Sequence, residues 1–163
     1  MLQHSQSPLI TLQEELDALK IYIEMEKLRF NNHFDYSIDV PFELDPSSYK
    51  VPPLIIQPFV ENAIWHGLMH KTSKGSLLVD FFVDENRVFC RITDDGVGRK
   101  KADGVKPVPG ITYKSLGIQI TAERINGANN NGAVFPINIL DRVHIDGSPA
   151  GTIVTVKLPV EYD

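Results

Sequence analysis

The chain has 163 residues, 42% hydrophobic and 23% charged, enough for one domain with a real core and short for two. A net charge of −5 excludes a broad duplex-DNA or anionic-membrane footprint, so no nucleic-acid partner is expected, although a small basic pocket for a phosphate is compatible with it. The single cysteine, Cys90, excludes an intramolecular disulfide and a thiolate metal cluster and suits a reducing compartment. No apolar run reaches the ~20 residues of a membrane span. The opening "MLQHSQSPLI" lacks the basic-then-apolar pattern of a signal peptide, so a cytoplasmic setting is expected.

Residues 12–30, "LQEELDALKIYIEMEKLRF", carry Leu12, Leu16, Leu19, Ile23 and Leu28 near helical spacing, and Thr11 with Glu14 forms a capping-box signature. "NNH" at 31–33 breaks that helix, and "FDYSIDV" alternates as a strand does. Residues 41–53, with Pro41, Pro46, Pro52 and Pro53, read as loop. A second helix is predicted over Leu54–His66, with Pro58 bending it or delaying its start. "SLLVDFFVD" and "RVFCRITD" form a hairpin joined at Glu85 and Asn86. Leu77, Val79, Phe81 and Val83 share one face of it, as do Val88, Cys90 and Ile92. The Gly/Pro-rich stretch 96–114 reads as a long mobile loop. "SLGIQITAERINGA" reads as a third helix, and "INILDRV" and "GTIVTVKLP" as two closing strands. The order predicts an α/β (α+β) two-layer sandwich, a mixed sheet covered on one face by helices.

The stretch "PFVENAIWHG" places polar groups inside an apolar helix. Asn62 and His66, four apart, lie on one helix face with Glu61 a step around it. The Asn62 amide, among Phe59, Val60, Ala63 and Ile64, needs a partner: either a neighbouring backbone group or a hard cation such as Mg²⁺, which keeps few protein ligands. In "ITDDGVGRK" the period of two carries Asp94 to the covered side of the sheet, where an inward carboxylate requires a donor; the exocyclic amino group of adenine is one. Gly96 and Gly98 permit close approach of a ligand, although Asp-Gly is also an ordinary turn dipeptide. In "KSLGIQI", Gly117 opens a helix whose amide donors suit phosphate, Lys114 adds a point charge, and Ser115 equally serves as a simple cap. Thr152 faces inward with Val154 and Val156, as a core residue or a site residue.

The order of these features resembles the Bergerat-type ATP-binding fold of histidine kinases, gyrase, MutL and the heat-shock ninety chaperones. Within it, "LQEELDALKIYIEMEKLRF", "VPPLIIQPFVENAIWHGL" and "SLGIQITAERI" are similar to LytS/YehU-type sensor histidine kinases, over about Leu12 to Pro159. The resemblance implies ATP and Mg²⁺ as cofactors, with Asn62 as metal ligand and Asp94 on the adenine amino group. It implies that Gly96, Gly98 and Gly117 frame a nucleotide lid formed by 99–116, with Lys114 and Thr152 also at the nucleotide, and that Glu61 and His66 position metal, water or phosphate. It divides the chain into residues 1–32, the end of a dimerisation and phosphoacceptor region, and 33–163, the catalytic domain. Ser115 and Ile120 depart from the family's second glycine box. None of the five histidines sits in the Asn-Pro-His-Phe context of the family's phosphoacceptor. The resemblance thus implies transfer of the ATP γ-phosphate to a histidine upstream of this chain, a homodimeric full-length protein attached to the inner membrane, and a response regulator as partner. Its rivals are a gyrase- or chaperone-like ATPase, for which Pro58 stands where a water-activating Glu is needed, and a nucleotide-sensing module without catalysis.

Overall fold

The structure, a computed structural model, describes residues 8–99 and 137–162. In chain order these form β1 (Ile10–Thr11), α1 (Leu12–Arg29), β2 (Phe34–Asp39), β3 (Tyr49–Val51) and α2 (Gln57–Asn62). A π-helical turn (Ala63–Gly67) and a 3-10 turn (Leu68–His70) prolong α2. Then come β4 (Gly75–Asp84), β5 (Arg87–Asp94), β6 (Ile137–Val143), β7 (Pro149–Lys157) and β8 (Glu161–Tyr162). The expected third helix, Ser115 and Ile120 lie outside the described residues. No helix among the described residues is long and apolar enough to cross a membrane.

Thr11 caps α1, its hydroxyl accepting the Glu14 N–H at 3.1 Å, as the capping signature predicts. Leu12, Leu16, Leu19 and Ile23 are buried. Leu28 is not: it is 75% exposed and belongs to the opposite side of the helix, with Ile21 and Met25. Asn31 and Asn32 then take positive φ, 54° and 56°, which Asn tolerates and which stops the helix.

Five strands form a mixed sheet in the order β2-β4-β5-β7-β6, with β2 parallel to β4 and every other pair antiparallel. Glu85 and Asn86 both sit at positive φ, 48° and 62°, the backbone of a tight two-residue hairpin turn. On the buried side Leu77 opposes Asp94, Val79 opposes Ile92 and Phe81 opposes Cys90. Val83 shares that face as expected, opposite the buried Val88, and is itself 44% exposed. The outer face of the sheet is polar and aromatic: Asp80 opposes Arg91 in a forked ion pair (3.1 and 2.5 Å), and Phe82 stacks on Phe89.

One core joins α1, α2 and the sheet. The inner apolar stripe of α1 packs into the same core as the strands. The 41–53 stretch is not all loop. β3 lies within it and pairs antiparallel with both β1 and β8 in a separate three-stranded sheet. Pro52 and Pro53 flank that strand rather than interrupting it.

Candidate functional site

α2 begins at Gln57, later than the expected Leu54, and Pro58 occupies its first turn, where a missing N–H leaves nothing unpaired. A buried carboxylate prepares this start. Glu15 of α1, 2% exposed, accepts the Leu54 N–H at 2.9 Å and the Ile56 N–H at 3.2 Å. These donors precede the helix and have no earlier carbonyl to bond, so α1 satisfies what α2 cannot.

After Asn62 the winding loosens into the π turn, which takes in an extra residue. Asn62 caps this turn and His66 lies within it, four residues on. Asn62 is half-buried, and among the described residues its amide makes no hydrogen bond. His66 is half-buried in the turn. Glu61 is exposed and acts electrostatically on Tyr22 of α1. Burial pushes the Tyr22 phenol well above its usual range, and the charges of Glu26 and Glu61 add to that rise.

The turn ends at Gly67, which meets the end of β5. Asp94 is 4% exposed, inward beside Ile92 as the alternation predicts, and its partner across the ladder is Thr152, also buried. Asp94 Oδ1 accepts the Gly96 N–H at 2.9 Å. A Cβ on Gly67 would lie 2.7 Å from that oxygen, and a Cβ on Gly96 would collide with the Gly67 backbone. The Val97 N–H then donates to the Gly67 carbonyl at 3.2 Å. Gly96 is required for the close approach of the Gly67 backbone. Gly98 sits at φ +79°, a torsion that glycine adopts without strain.

Polar contacts fix this junction from outside. The Asp95 carboxylate accepts the Ser76 N–H at 2.7 Å and pairs with Lys71 at 3.0 Å, tying the segment after His70 to the start of β4. Arg142 donates to the Asp94 carbonyl at 3.0 Å, and Arg99 forks onto Asp141 at 2.7 and 2.8 Å. A cleft between Gly98, Arg99, Asp141, Arg142 and Pro149 opens beside the Asp94 turn.

The structure thus brings Asn62, His66, Asp94, Gly96, Gly98 and Thr152 to the meeting of one helix end with two strands, β5 and β7. Glu61 stands toward α1. Lys114 and Gly117, and the expected lid beyond Arg99, lie outside the described residues. Sequence reading did not single out Gly67, Asp95, Arg142 or Glu15. Only Glu15 had a usable signal, since it falls among Leu12, Leu16 and Leu19 on the buried side of the helix.

No protein-family model matches the chain. The sensor protein LytS of Oceanobacillus iheyensis is 32% identical over 157 residues, covering 93% of this chain and 25% of that protein. The sensor protein LytS of Bacillus subtilis is 26% identical, covering 98% of this chain and 26% of that protein. The chain therefore spans about a quarter of the length of these relatives. Among solved structures, the catalytic domain of histidine kinase ThkA superposes with a TM-score of 0.62, covering 97% of this chain and 99% of that one at 13% identity. The histidine kinase AdeS of Acinetobacter baumannii gives 0.57 at 14% identity, covering 93% of this chain and 66% of that one. At such identities the likeness shows the fold, and that fold is the one of a histidine kinase catalytic domain.

Proposed function

The chain belongs to the LytS-type sensor histidine kinases, and from that premise we propose that it binds ATP at the Asp94 junction and presents the γ-phosphate to a histidine elsewhere in the full-length protein. The observation that carries this reading is the Asp94 carboxylate, buried at a strand end with two glycines packed around it and Thr152 across the ladder. A carboxylate so placed recognises a neutral N–H donor such as the adenine amino group and holds the base edge-on.

The adenine amino group fits this acceptor, and the Asn62 amide oxygen fits Mg²⁺. A single neutral oxygen suffices because phosphates and water supply the other positions. Among the described residues no cluster of three or more His, Cys, Asp or Glu could hold a metal without them. When bound, Mg²⁺ supplies charge neutralisation at the phosphates. The chain's own part is positioning: Asp94 anchors the base, the π turn sets the distance from base to Asn62, His66 lines the phosphate end, and Glu61, standing toward α1, adds its charge from outside the pocket. Lys114, Gly117 and Thr152 complete the nucleotide contacts in this reading.

Phosphoryl transfer asks little of the protein beyond alignment and electrostatics, so a site without an internal acceptor is consistent with it. The phosphoacceptor domain of the same protein and a response regulator are the proposed partners, in a membrane-attached homodimer. An ATPase role fits less well, since Pro58 fills the first turn of α2 where a water-activating carboxylate would stand.

The test has two arms. Calorimetric titration of ATP with and without Mg²⁺ should show binding strengthened by the metal. With γ-labelled ATP, this chain alone should remain unlabelled, whereas a fragment carrying the full-length protein's Asn-Pro-His-Phe histidine should become labelled when mixed with it. Transfer should be slow, since the tether that raises effective concentration is cut. Acid-labile label on any of the chain's five histidines, or no ATP binding at all, would overturn the reading.

A further inference from the structure

Arg142 is half-buried, lines the cleft beside the Asp94 turn, and has no carboxylate at ion-pairing distance among the described residues. The other half-buried arginines are forked onto carboxylates, Arg91 onto Asp80 and Arg99 onto Asp141. Arg142 spends one N–H on the Asp94 carbonyl, at 3.0 Å, of the five donors that a guanidinium carries. What is left over is a planar fork, the geometry that matches the oxygens of a phosphate or a carboxylate.

The cleft has a volume of about 140 Å³, against the roughly 10–15 Å³ that a single water needs. An anion of several heavy atoms fits it. Its walls are bare because the backbone there calls for glycine: Gly98, Gly147 and Gly151 line it at φ of 79°, 84° and 117°. Gly151 is also the residue opposite Arg142 in the ladder. A Cβ on it would collide with the Asp94 carbonyl oxygen, the same atom that Arg142 holds. The cleft's one carboxylate, Asp141, has both oxygens engaged by Arg99. Two arginines against one aspartate leave a net positive hollow in a chain whose overall charge is −5, and such a concave patch concentrates anions.

We propose that this cleft is a second anion site, in which the Arg142 guanidinium receives a small oxyanion, either inorganic phosphate or a carboxylate. It is separate from the proposed nucleotide site. The inward position on β6 belongs to the preceding residue, Asp141, opposite Thr152, so strand alternation turns Arg142 away from the Asp94 carboxylate. Asp94 thus serves both places, with its buried carboxylate on one side and its carbonyl on the other.

The test is a titration of the whole chain with inorganic phosphate at constant ionic strength, followed by the amide signals in NMR. Saturable shifts at Gly98, Gly147 and Gly151 are expected, and they should persist with adenosine bound. Arg142→Gln should weaken phosphate binding about ten- to a hundredfold, the worth of hydrogen bonds to a charged group. Val143→Glu changes a cleft residue that is 65% exposed, and should weaken it likewise by repulsion without disturbing the core. Acetate in place of phosphate tells the two sources apart: tighter phosphate binding identifies a phosphate ligand, tighter acetate binding a carboxylate. No saturable shift with either anion would overturn the proposal. So would shifts confined to residues 62–67, which put the anion in the nucleotide site, or equal shifts with chloride, the mark of bulk screening. Binding untouched by either substitution would overturn it too. Adenosine carries no phosphate and reports on the nucleotide site by itself, so failure of one reading is distinguishable from failure of the other.

Discussion

Gly67 and Asp94 touch: the α-carbon of the glycine lies so near the carboxylate that a methyl group built on it would stand 2.7 Å from Oδ1. That oxygen cannot retreat freely, because it already accepts the Gly96 N–H at 2.9 Å. Gly67→Ala should therefore turn the carboxylate and weaken ATP binding by about tenfold or more, equivalent to ~1.4 kcal/mol. Helix propensity favours Ala by up to ~1 kcal/mol and offsets part of the packing strain. The thermal midpoint should consequently move far less than the affinity. Calorimetry beside a melting curve checks this, and an unchanged affinity in a folded variant would refute the contact's importance.

Asp94→Asn keeps an oxygen for the Gly96 N–H and removes the charge. If the carboxylate is the acceptor for the adenine amino group, ATP binding should weaken by about 1.5–3 kcal/mol, the range for a hydrogen bond to a charged group. Titration of ATP and of adenosine should show the same loss, since the base is common to both. A loss confined to ATP would place Asp94 at the phosphates instead.

Asn62→Ala should separate metal from base. Its amide has no hydrogen bond to give up among the described residues, so the fold should lose little. Binding of Mg-ATP should fall while that of metal-free adenosine stays as it was. Equal losses would mean that the substitution had damaged the pocket as a whole.

Alkaline pH should destabilise the chain. Burial holds the Cys90 thiol well above its ordinary 9.0, helped by the charges of Asp80 and Glu15, and burial raises the Tyr22 phenol above its ordinary 10.0. Burial, then the Glu24 hydrogen bond, pushes Tyr36 up to about 12. Each group keeps its proton in the folded chain at a pH where the unfolded chain has lost it. The stability this represents is fully present below about pH 9 and falls as pH rises, by up to ~1.4 kcal/mol per unit for each group that titrates only when unfolded. Urea midpoints at pH 8 and pH 10.5 should differ in that direction, and Cys90 should resist alkylation at pH 8 until urea unfolds the chain. A midpoint that rises with pH would contradict the assignment.

Much of the site was legible because period-two alternation is a strong rule. It carried Asp94 and Thr152 inward from Ile92 and Val154, and the ladder makes those two residues direct partners. The alternation of Leu12, Leu16, Leu19 and Ile23 likewise fixed the inner stripe of α1. Leu28 was misplaced because its spacing fits two helix faces, and only the packed sheet decides between them. The π turn at Ala63–Gly67 left no local mark. It follows from the clasp of Gly67 onto Asp94 and Gly96, a contact between segments that are neighbours only in the folded chain. Glu15 taught the same lesson from the other side: a charge among leucines is a request for a partner, and that partner lay thirty-nine residues away at Leu54.

The three-stranded sheet has a mechanical consequence. β3 is gripped on one side by β1 and on the other by β8, so residues 10–11 and 161–162 run parallel to each other along a shared central strand. Tension between the two ends of the domain therefore loads this sheet in shear, with its short ladders resisting together rather than opening one bond at a time. The five-stranded sheet, with Asp94 at the end of its central strand, sits behind that clasp and outside the line of force. A tug arriving through the polypeptide is absorbed in a few sacrificial backbone bonds. In a single-molecule pull from both ends, the clasp should yield first, with nucleotide still held.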